Sequence, residues 1–95
     1  MEIKVRTIMT LAQHLGGPEI PLQVKEGASV SDALRELRVY GGEQFCREVF
    51  DPKTDKPYKH LFILVNSRII RPLDGLTTVL KEGDVLMILP LVPGG

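Results

Sequence analysis

Cysteine, tryptophan and long apolar runs are scarce or missing in this sequence of 95 residues. The single cysteine, Cys46, excludes an internal disulfide and indicates a reducing compartment, so we expect a cytoplasmic protein. No apolar run approaches the roughly 20 residues that a membrane-spanning helix needs. The first residues, 1–5, alternate charged and apolar side chains and therefore differ from the apolar core of a signal peptide.

Net charge is also missing, because 12 basic residues balance 12 acidic ones. This balance gives no electrostatic reason to expect nucleic acid or an anionic membrane as a partner. The two histidines, His14 and His60, lie far apart in the sequence, and with one cysteine they predict no metal site. No Ser-His-Asp arrangement is evident. We therefore expect no catalytic residue and no bound cofactor in this chain.

Hydrophobic residues are plentiful, at 43% of the chain, and they predict one folded domain. Period-two alternation and short apolar runs predict strands at residues 2–9, 20–24, 61–65, 69–70 and 85–89. Helical spacing predicts a short helical piece at 11–15, a main helix from Val30 to the Gly41–Gly42 pair, and a short helix at 43–50. We expect residues 51–57 to form a polar loop.

Three local signals refine these elements. The buried side of the first strand is expected to carry Ile3, Val5, Thr7 and Met9. Pro21 lacks a backbone donor, so the second strand should lie at an edge of the sheet. Ser29 precedes Asp32 by three residues, which predicts a capping box at the start of the main helix.

One sheet with a helical layer on a single face makes a two-layer α+β domain. Such a sheet should be apolar on one face only, yet the runs 62–65 and 85–89 are apolar on both. Either the chain's own loops cover the second face, or that face is an exposed patch for a partner. We favour the partner interpretation, with an interface that includes Phe62, Leu64, Leu86 and Ile88.

Cys46 lies on the apolar side of the predicted 43–50 helix, beside Phe45 and near Val49. A free cysteine in such a position usually packs as a small hydrophobic side chain. We therefore interpret Cys46 as structural, in preference to a nucleophile or a sulfur acceptor.

A proline-containing tail follows the last predicted strand. Pro90 cannot donate a ladder hydrogen bond, so we divide the chain into a domain at 1–89 and an extended tail at 90–95. The tail residues are Pro90, Leu91, Val92, Pro93, Gly94 and Gly95. No side chain shields the carboxyl carbon of Gly95. The two prolines of the tail, Pro90 and Pro93, stiffen it. This pattern favours a terminal carboxylate that itself reacts, and chance occurrence of the glycine pair is the alternative.

The ending resembles the C-terminus of the MoaD/ThiS family of ubiquitin-like sulfur carriers. The typical ending of that family has Gly-Asp-x-Val, a short apolar strand, Pro-Pro-Val, a small residue and Gly-Gly. The residues that match are Gly83, Asp84, Val85, Pro90, Val92, Gly94 and Gly95. Leu91 stands where a second proline is usual, and Pro93 stands where Ala or Ser is common. The order of predicted elements resembles the family over nearly the whole chain.

The resemblance implies a β-grasp fold, with a mixed sheet and one main helix plus short helices on one face. It is nearest to the small subunit of molybdopterin synthase. An adenylyltransferase related to ubiquitin-activating enzyme would use ATP to attach AMP to Gly95, and sulfur would then replace AMP. The resulting thiocarboxylate would donate sulfur to the molybdopterin synthase large subunit or a similar acceptor enzyme. The chain would thus be a carrier subunit and not itself an enzyme.

Three other functions stay open from the sequence. The chain could be a sulfur carrier for thiamine synthesis, although such carriers tend to be shorter between the first helix and the third strand. It could be a ubiquitin-like modifier that is conjugated to lysines through Gly95. It could also be a β-grasp interaction module that is never activated. Pro90 and Val92 favour the molybdopterin pathway, on resemblance alone.

Overall fold

A mixed five-stranded sheet organises the computed structural model, which describes residues 1–70 and 75–90. The strands are β1 (Glu2–Thr7), β2 (Glu19–Gln23), β3 (Phe50–Asp51), β4 (Lys56–Pro57), β5 (Phe62–Val65), β6 (Arg68–Ile70) and β7 (Val85–Leu89). The sheet has the order β2-β1-β7-β5-β6, while β3 and β4 pair with each other as a separate hairpin. Within the sheet, β1 and β7 run parallel and the other neighbouring pairs are antiparallel. Strand β2 lies at an edge, as Pro21 predicts.

Two helices supply the second layer, α1 (Met9–Leu15) and α2 (Val30–Val49), and a short 3-10 helix spans Gly75–Thr77. Their buried side chains join those of the strands in one hydrophobic core. The helix residues of that core are Leu11, Leu15, Val30, Ala33, Leu34, Leu37, Phe45 and Val49. Within the described residues, neither helix is long and apolar enough to cross a membrane. The predicted two-layer α+β architecture is confirmed.

Helix α2 begins at the predicted capping box. The Ser29 hydroxyl oxygen accepts a hydrogen bond from the Asp32 backbone N–H at 3.2 Å, and the Asp32 carboxylate accepts one from the Ser29 backbone N–H at 2.9 Å. The backbone and hydroxyl bonds with Ser29 lower the pKa of the Asp32 carboxyl below its ordinary value, because they favour its charged form. This cap sets the helical phase that turns Val30 and Leu34 into the core.

Gly42 interrupts α2 at the place where the sequence predicts a break. Its φ of 77° and ψ of −168° are outside the helical region, and a positive φ favours glycine. The neighbouring Gly41 also has a steric reason to be glycine, since a Cβ there would lie 2.6 Å from the Phe45 side chain. Helical structure then resumes and ends at Val49. The two predicted helices therefore correspond to the two parts of α2.

The sequence-based assignment of Phe50 to the second helix is wrong. Phe50 is extended, with φ −107° and ψ 133°, and it pairs with Pro57 in the β3–β4 hairpin. The predicted loop at 51–57 thus contains part of a hairpin. An Arg38 nitrogen donates hydrogen bonds to the carbonyl and the carboxylate of Asp55, at 2.9 and 2.6 Å. The same guanidinium lies 4.0 Å from the centre of the Phe50 ring, so Arg38 holds the hairpin against α2.

Strand β1 shows the predicted alternation as far as Thr7. Ile3 and Val5 are fully buried, and the Thr7 hydroxyl donates a hydrogen bond to the Ile88 carbonyl at 2.6 Å. Met9 does not continue the buried side, so that part of the prediction is wrong. It is 59% exposed and begins α1 with a φ of 57°, because the chain already turns away from the sheet there.

Candidate functional site

The sheet face opposite the helices carries an apolar surface in its β7-β5-β6 half. We call this surface the outer apolar patch; its residues are Phe62, Leu64, Ile69, Val85, Met87 and Leu89. Phe62 is 43% exposed and Ile69 is 67% exposed, and the other four side chains are half-buried. An apolar surface of this kind is typical of a docking site for a partner. Two of the residues that the sequence predicts in such an interface, Phe62 and Leu64, lie on this face.

Leu86 and Ile88 do not lie on the exposed face, so their sequence-based assignment to the interface is wrong. Both are fully buried on the helix side of the sheet. The antiparallel register pairs Phe62 with Leu89 and Ile63 with Ile88, and directly paired residues share a face. Since every residue of β7 is apolar, the sequence has no alternation that could set the phase of this strand. The pairing with its neighbours decides which side chains point outward.

Strands β1 and β2 continue the outer face with polar side chains. The Arg6 guanidinium donates to the Glu19 carboxylate at 2.5 Å, and the Gln23 amide donates to the Glu2 carboxylate at 3.0 Å. The hydrogen bond from Arg6 lowers the pKa of Glu19, and the charges of Arg6 and Lys4 contribute to the same shift. The outer face is therefore divided into an apolar half and a charged half.

Asn66, in the turn between β5 and β6, positions the start of β7. Its side-chain amide donates to the Asp84 carboxylate at 2.8 Å, and its side-chain oxygen accepts from the Val85 backbone N–H at 2.9 Å. Asp84 also accepts from the Lys81 backbone N–H at 2.8 Å. The sequence shows Asn66 only as a turn residue, because nothing in its local pattern indicates a partner 18 residues away. These bonds connect the β5–β6 turn to the strand that leads into the tail.

Strand β7 ends at Leu89, immediately before Pro90, as the sequence predicts. Leu91, Val92, Pro93, Gly94 and Gly95 lie outside the described residues, so the predictions for the tail and for the division at 1–89 and 90–95 stay predictions. Leu89 is paired with Phe62, an exposed aromatic residue of the outer apolar patch. The patch therefore reaches the point in the fold from which the tail begins.

The remaining candidate side chains form no further site in the described residues. Cys46 is half-buried and packs against the core, and its thiol donates to the Arg38 carbonyl at 3.7 Å. This position agrees with the structural interpretation, although Cys46 is less buried than the sequence suggests. His14 contacts Glu48, and His60 stacks on an aromatic ring with centres 5.1 Å apart. No group of three potential metal ligands occurs within residues 1–70 and 75–90.

Comparison with protein families gives a match to the ThiS family over residues 7–95. The chain belongs to the ThiS family. The matched range includes β7, the outer apolar patch and the whole C-terminal motif. The resemblance to MoaD/ThiS proteins that the ending of the sequence suggests is thereby confirmed for nearly the full chain.

Relatives of this ThiS-family chain include proteins named as archaeal modifiers and a protein named as a molybdopterin converting factor subunit. Small archaeal modifier protein 3 of Haloferax volcanii is 33% identical over 96 residues, which cover 100% of both chains. The crystal structure of SAMP1 from the same organism superimposes with a TM-score of 0.82, at 25% identity and with 100% of each chain covered. A putative molybdopterin converting factor, subunit 1, from Pyrococcus furiosus has a TM-score of 0.75 and 29% identity, covering 97% of this chain and 99% of that one. These structures confirm the β-grasp fold.

Proposed function

We propose that this ThiS-family protein is a sulfur carrier of the cytoplasm, whose Gly95 carboxylate is adenylated and then converted to a thiocarboxylate. The observation that carries the proposal is the C-terminal motif, within a family match that extends to residue 95. The motif consists of Gly83, Asp84, Val85, Pro90, Val92, Gly94 and Gly95. The acceptor pathway that we propose is molybdopterin synthesis, supported by the likeness to the converting-factor subunit of Pyrococcus furiosus.

The outer apolar patch is the surface through which the protein docks on its adenylyltransferase. Phe62 is exposed and pairs with Leu89, the residue before Pro90, so the patch adjoins the base of the tail. Burial of the patch against the enzyme would fix the direction in which the tail leaves the domain. The carboxylate is then delivered to the active site as an intramolecular reactant, which lowers the entropic cost of the encounter. The same surface serves the sulfur acceptor after the activating enzyme has left.

Adenylation is needed because a carboxylate is a poor electrophile. Attack of the Gly95 carboxylate on the α-phosphate of ATP releases pyrophosphate and gives an acyl-adenylate. Hydrosulfide then attacks the acyl carbon, AMP leaves, and a thiocarboxylate remains. The partner's site excludes water and orients these groups. The carrier supplies the reacting carboxyl group, a tail without a side chain at its last two positions, and the docking surface.

Exchange of labelled pyrophosphate into ATP tests the first step. The full-length protein is combined with the adenylyltransferase of the same organism, and we expect exchange that depends on the carrier. Deletion of Gly95 should abolish exchange while the far-ultraviolet circular dichroism spectrum stays unchanged. Exchange at the wild-type rate without Gly95 contradicts the proposal.

A matched pair of variants tests the docking surface in the same assay. Phe62→Asp introduces a charge into the outer apolar patch, and Val39→Asp introduces the same charge at a residue of α2 that is 85% exposed. We expect Phe62→Asp to raise the KM for the carrier at least about tenfold, the effect of losing a central apolar anchor. Val39→Asp should leave the KM unchanged. Equal KM values for the two variants would remove the patch from the proposed interface.

Conjugation to lysines through Gly95 is a second candidate function. It is favoured by the full-length likeness, at 33% identity, to small archaeal modifier protein 3. Both functions need the same activation, but a carrier returns to a free carboxylate whereas a modifier keeps an isopeptide bond. Tagged protein from its own cell, purified under denaturing conditions, separates them. Adducts that join Gly95 to target lysines support the modifier. Free protein, with loss of molybdenum- or tungsten-enzyme activity on gene deletion, supports the carrier.

A further inference from the structure

Lys4 is the charged side chain of the outer face that has no partner among the described residues. On the same face, Arg6 is paired with Glu19, and the Glu2 carboxylate accepts a hydrogen bond from Gln23. Lys4 is exposed, and its ammonium group makes no hydrogen bond or ion pair with any described side chain. Of the two cations in the charged half, Arg6 is paired and Lys4 forms no ion pair within the described residues.

The register places no hydrogen-bond acceptor directly opposite Lys4 on either neighbouring strand. Its direct neighbours across the sheet are Pro21 on β2 and Val85 on β7. Val85 belongs to the outer apolar patch, and neighbouring strands lie about 4.8 Å apart, so Lys4 borders the patch. On the same face, Glu2 precedes Lys4 by two residues and Glu19 lies diagonally across from it, and their carboxylates are bonded to Gln23 and Arg6.

Docking on the outer apolar patch brings a protein surface within one strand of Lys4. The ammonium group then loses part of its water, and the nearest carboxylates of its own chain, Glu2 and Glu19, are already bonded to Gln23 and Arg6. A basic or wholly apolar partner surface would leave that desolvation cost uncompensated. A carboxylate in the same place would form a charge-assisted hydrogen bond and would also attract the carrier before contact.

We infer that the activating enzyme that covers the outer apolar patch places a carboxylate opposite Lys4, and that this charge pair promotes association with the carrier. The inference rests on the proposed function, because it specifies the chemistry of the partner at the proposed docking surface. Lys4 lies at the rim of that surface and far along the sheet from the tail end of β7. The pair therefore acts on association of the two proteins. Its loss should raise the KM for the carrier and leave kcat nearly unchanged.

The test measures ATP–pyrophosphate exchange as a function of carrier concentration, with full-length variants and the intact adenylyltransferase. At low salt, Lys4→Glu should lower kcat/KM about tenfold through KM, the effect of placing like charges together at an interface rim. Lys4→Arg should keep the wild-type value because it keeps the charge. The matched control is Lys53→Glu, an exposed residue of the β3–β4 turn on the opposite layer, and it should also keep the wild-type value. At about 1 M salt, where the screening length falls to about 3 Å, the differences should nearly vanish.

The outcomes separate this inference from the function on which it rests. Equal kcat/KM values for Lys4→Glu and Lys53→Glu at every salt concentration, with normal exchange by the wild type, overturn the inference alone. Absence of exchange by the wild type overturns the proposed function and the inference together. Lys4→Gln provides a milder variant if glutamate lowers the melting temperature, and it should fall between the wild type and Lys4→Glu. A wild-type KM for Lys4→Gln at low salt also overturns the inference.

Discussion

Replacement by alanine at two neighbouring residues of β7, Leu86 and Met87, should separate stability from binding. Leu86→Ala should cost more stability, and Met87→Ala should cost more binding. Leu86 is fully buried, whereas Met87 is half-buried on the outer face. Each buried methyl or methylene group that Leu86→Ala removes contributes about 0.8 kcal/mol to the free energy of unfolding. The cavity that remains adds to the loss of stability. We expect Leu86→Ala to lower the free energy of unfolding by about 3 kcal/mol. Met87→Ala should cost about 1 kcal/mol or less.

Urea unfolding followed by circular dichroism measures the stability difference between the two variants. In a domain of this size, 1 kcal/mol corresponds to a shift of about 4–8 °C in Tm, so Leu86→Ala should lower Tm by about 12–24 °C. Binding to the adenylyltransferase should show the opposite order, since Met87 contributes to the outer apolar patch and Leu86 does not. A larger loss of stability for Met87→Ala than for Leu86→Ala would refute the face assignment, and with it the patch.

Three further predictions concern the helix cap, the response to acid and the cysteine. Ser29→Ala should lower the free energy of unfolding by about 1 kcal/mol in urea titrations, because it removes the hydroxyl of the capping box. The pKa of Asp32 is lowered by its bonds with Ser29, so the charged carboxylate stabilises the folded state above its ordinary pKa of 3.8. That stability is lost as pH falls through the lowered pKa. The urea midpoint of Asp32→Asn should therefore decline less steeply between pH 5 and pH 2 than that of the wild type. A parallel decline of the two midpoints would show that Asp32 is not involved. Cys46→Ala should reduce stability by about 1 kcal/mol and leave sulfur transfer unchanged, and loss of transfer at unchanged stability would identify the thiol as a reactant.

The main elements of the fold are predictable because their signals are local. The Ser29–Asp32 cap, the break at Gly41–Gly42 and the edge position of Pro21 each depend on backbone chemistry within a few residues. The β3–β4 hairpin escapes such reasoning, since two-residue strands carry no period. Its position depends on the contact of Arg38 with Asp55, 17 residues later in the chain.

The candidate site could be predicted only in part for a related reason. The apolar run of β7 indicates that both faces of the strand are covered or available for binding, but it does not indicate which side chain faces which way. The pairing of Phe62 with Leu89 determines which side chains of β7 lie on the outer face. This pairing depends on contacts between strands that are distant in the sequence. Lys4 likewise looks like an ordinary solvent-exposed lysine until the register shows its neighbours, Pro21 and Val85.

The mass of the intact protein after activation tests the central claim most directly. Full-length protein is incubated with its adenylyltransferase, ATP and sulfide, and its mass is compared with that of the variant that lacks Gly95. The account predicts a gain that corresponds to the exchange of one oxygen for one sulfur, located at Gly95 by fragmentation of the C-terminal peptide. An unchanged mass in the presence of an enzyme that forms the adenylate would contradict the sulfur-carrier function.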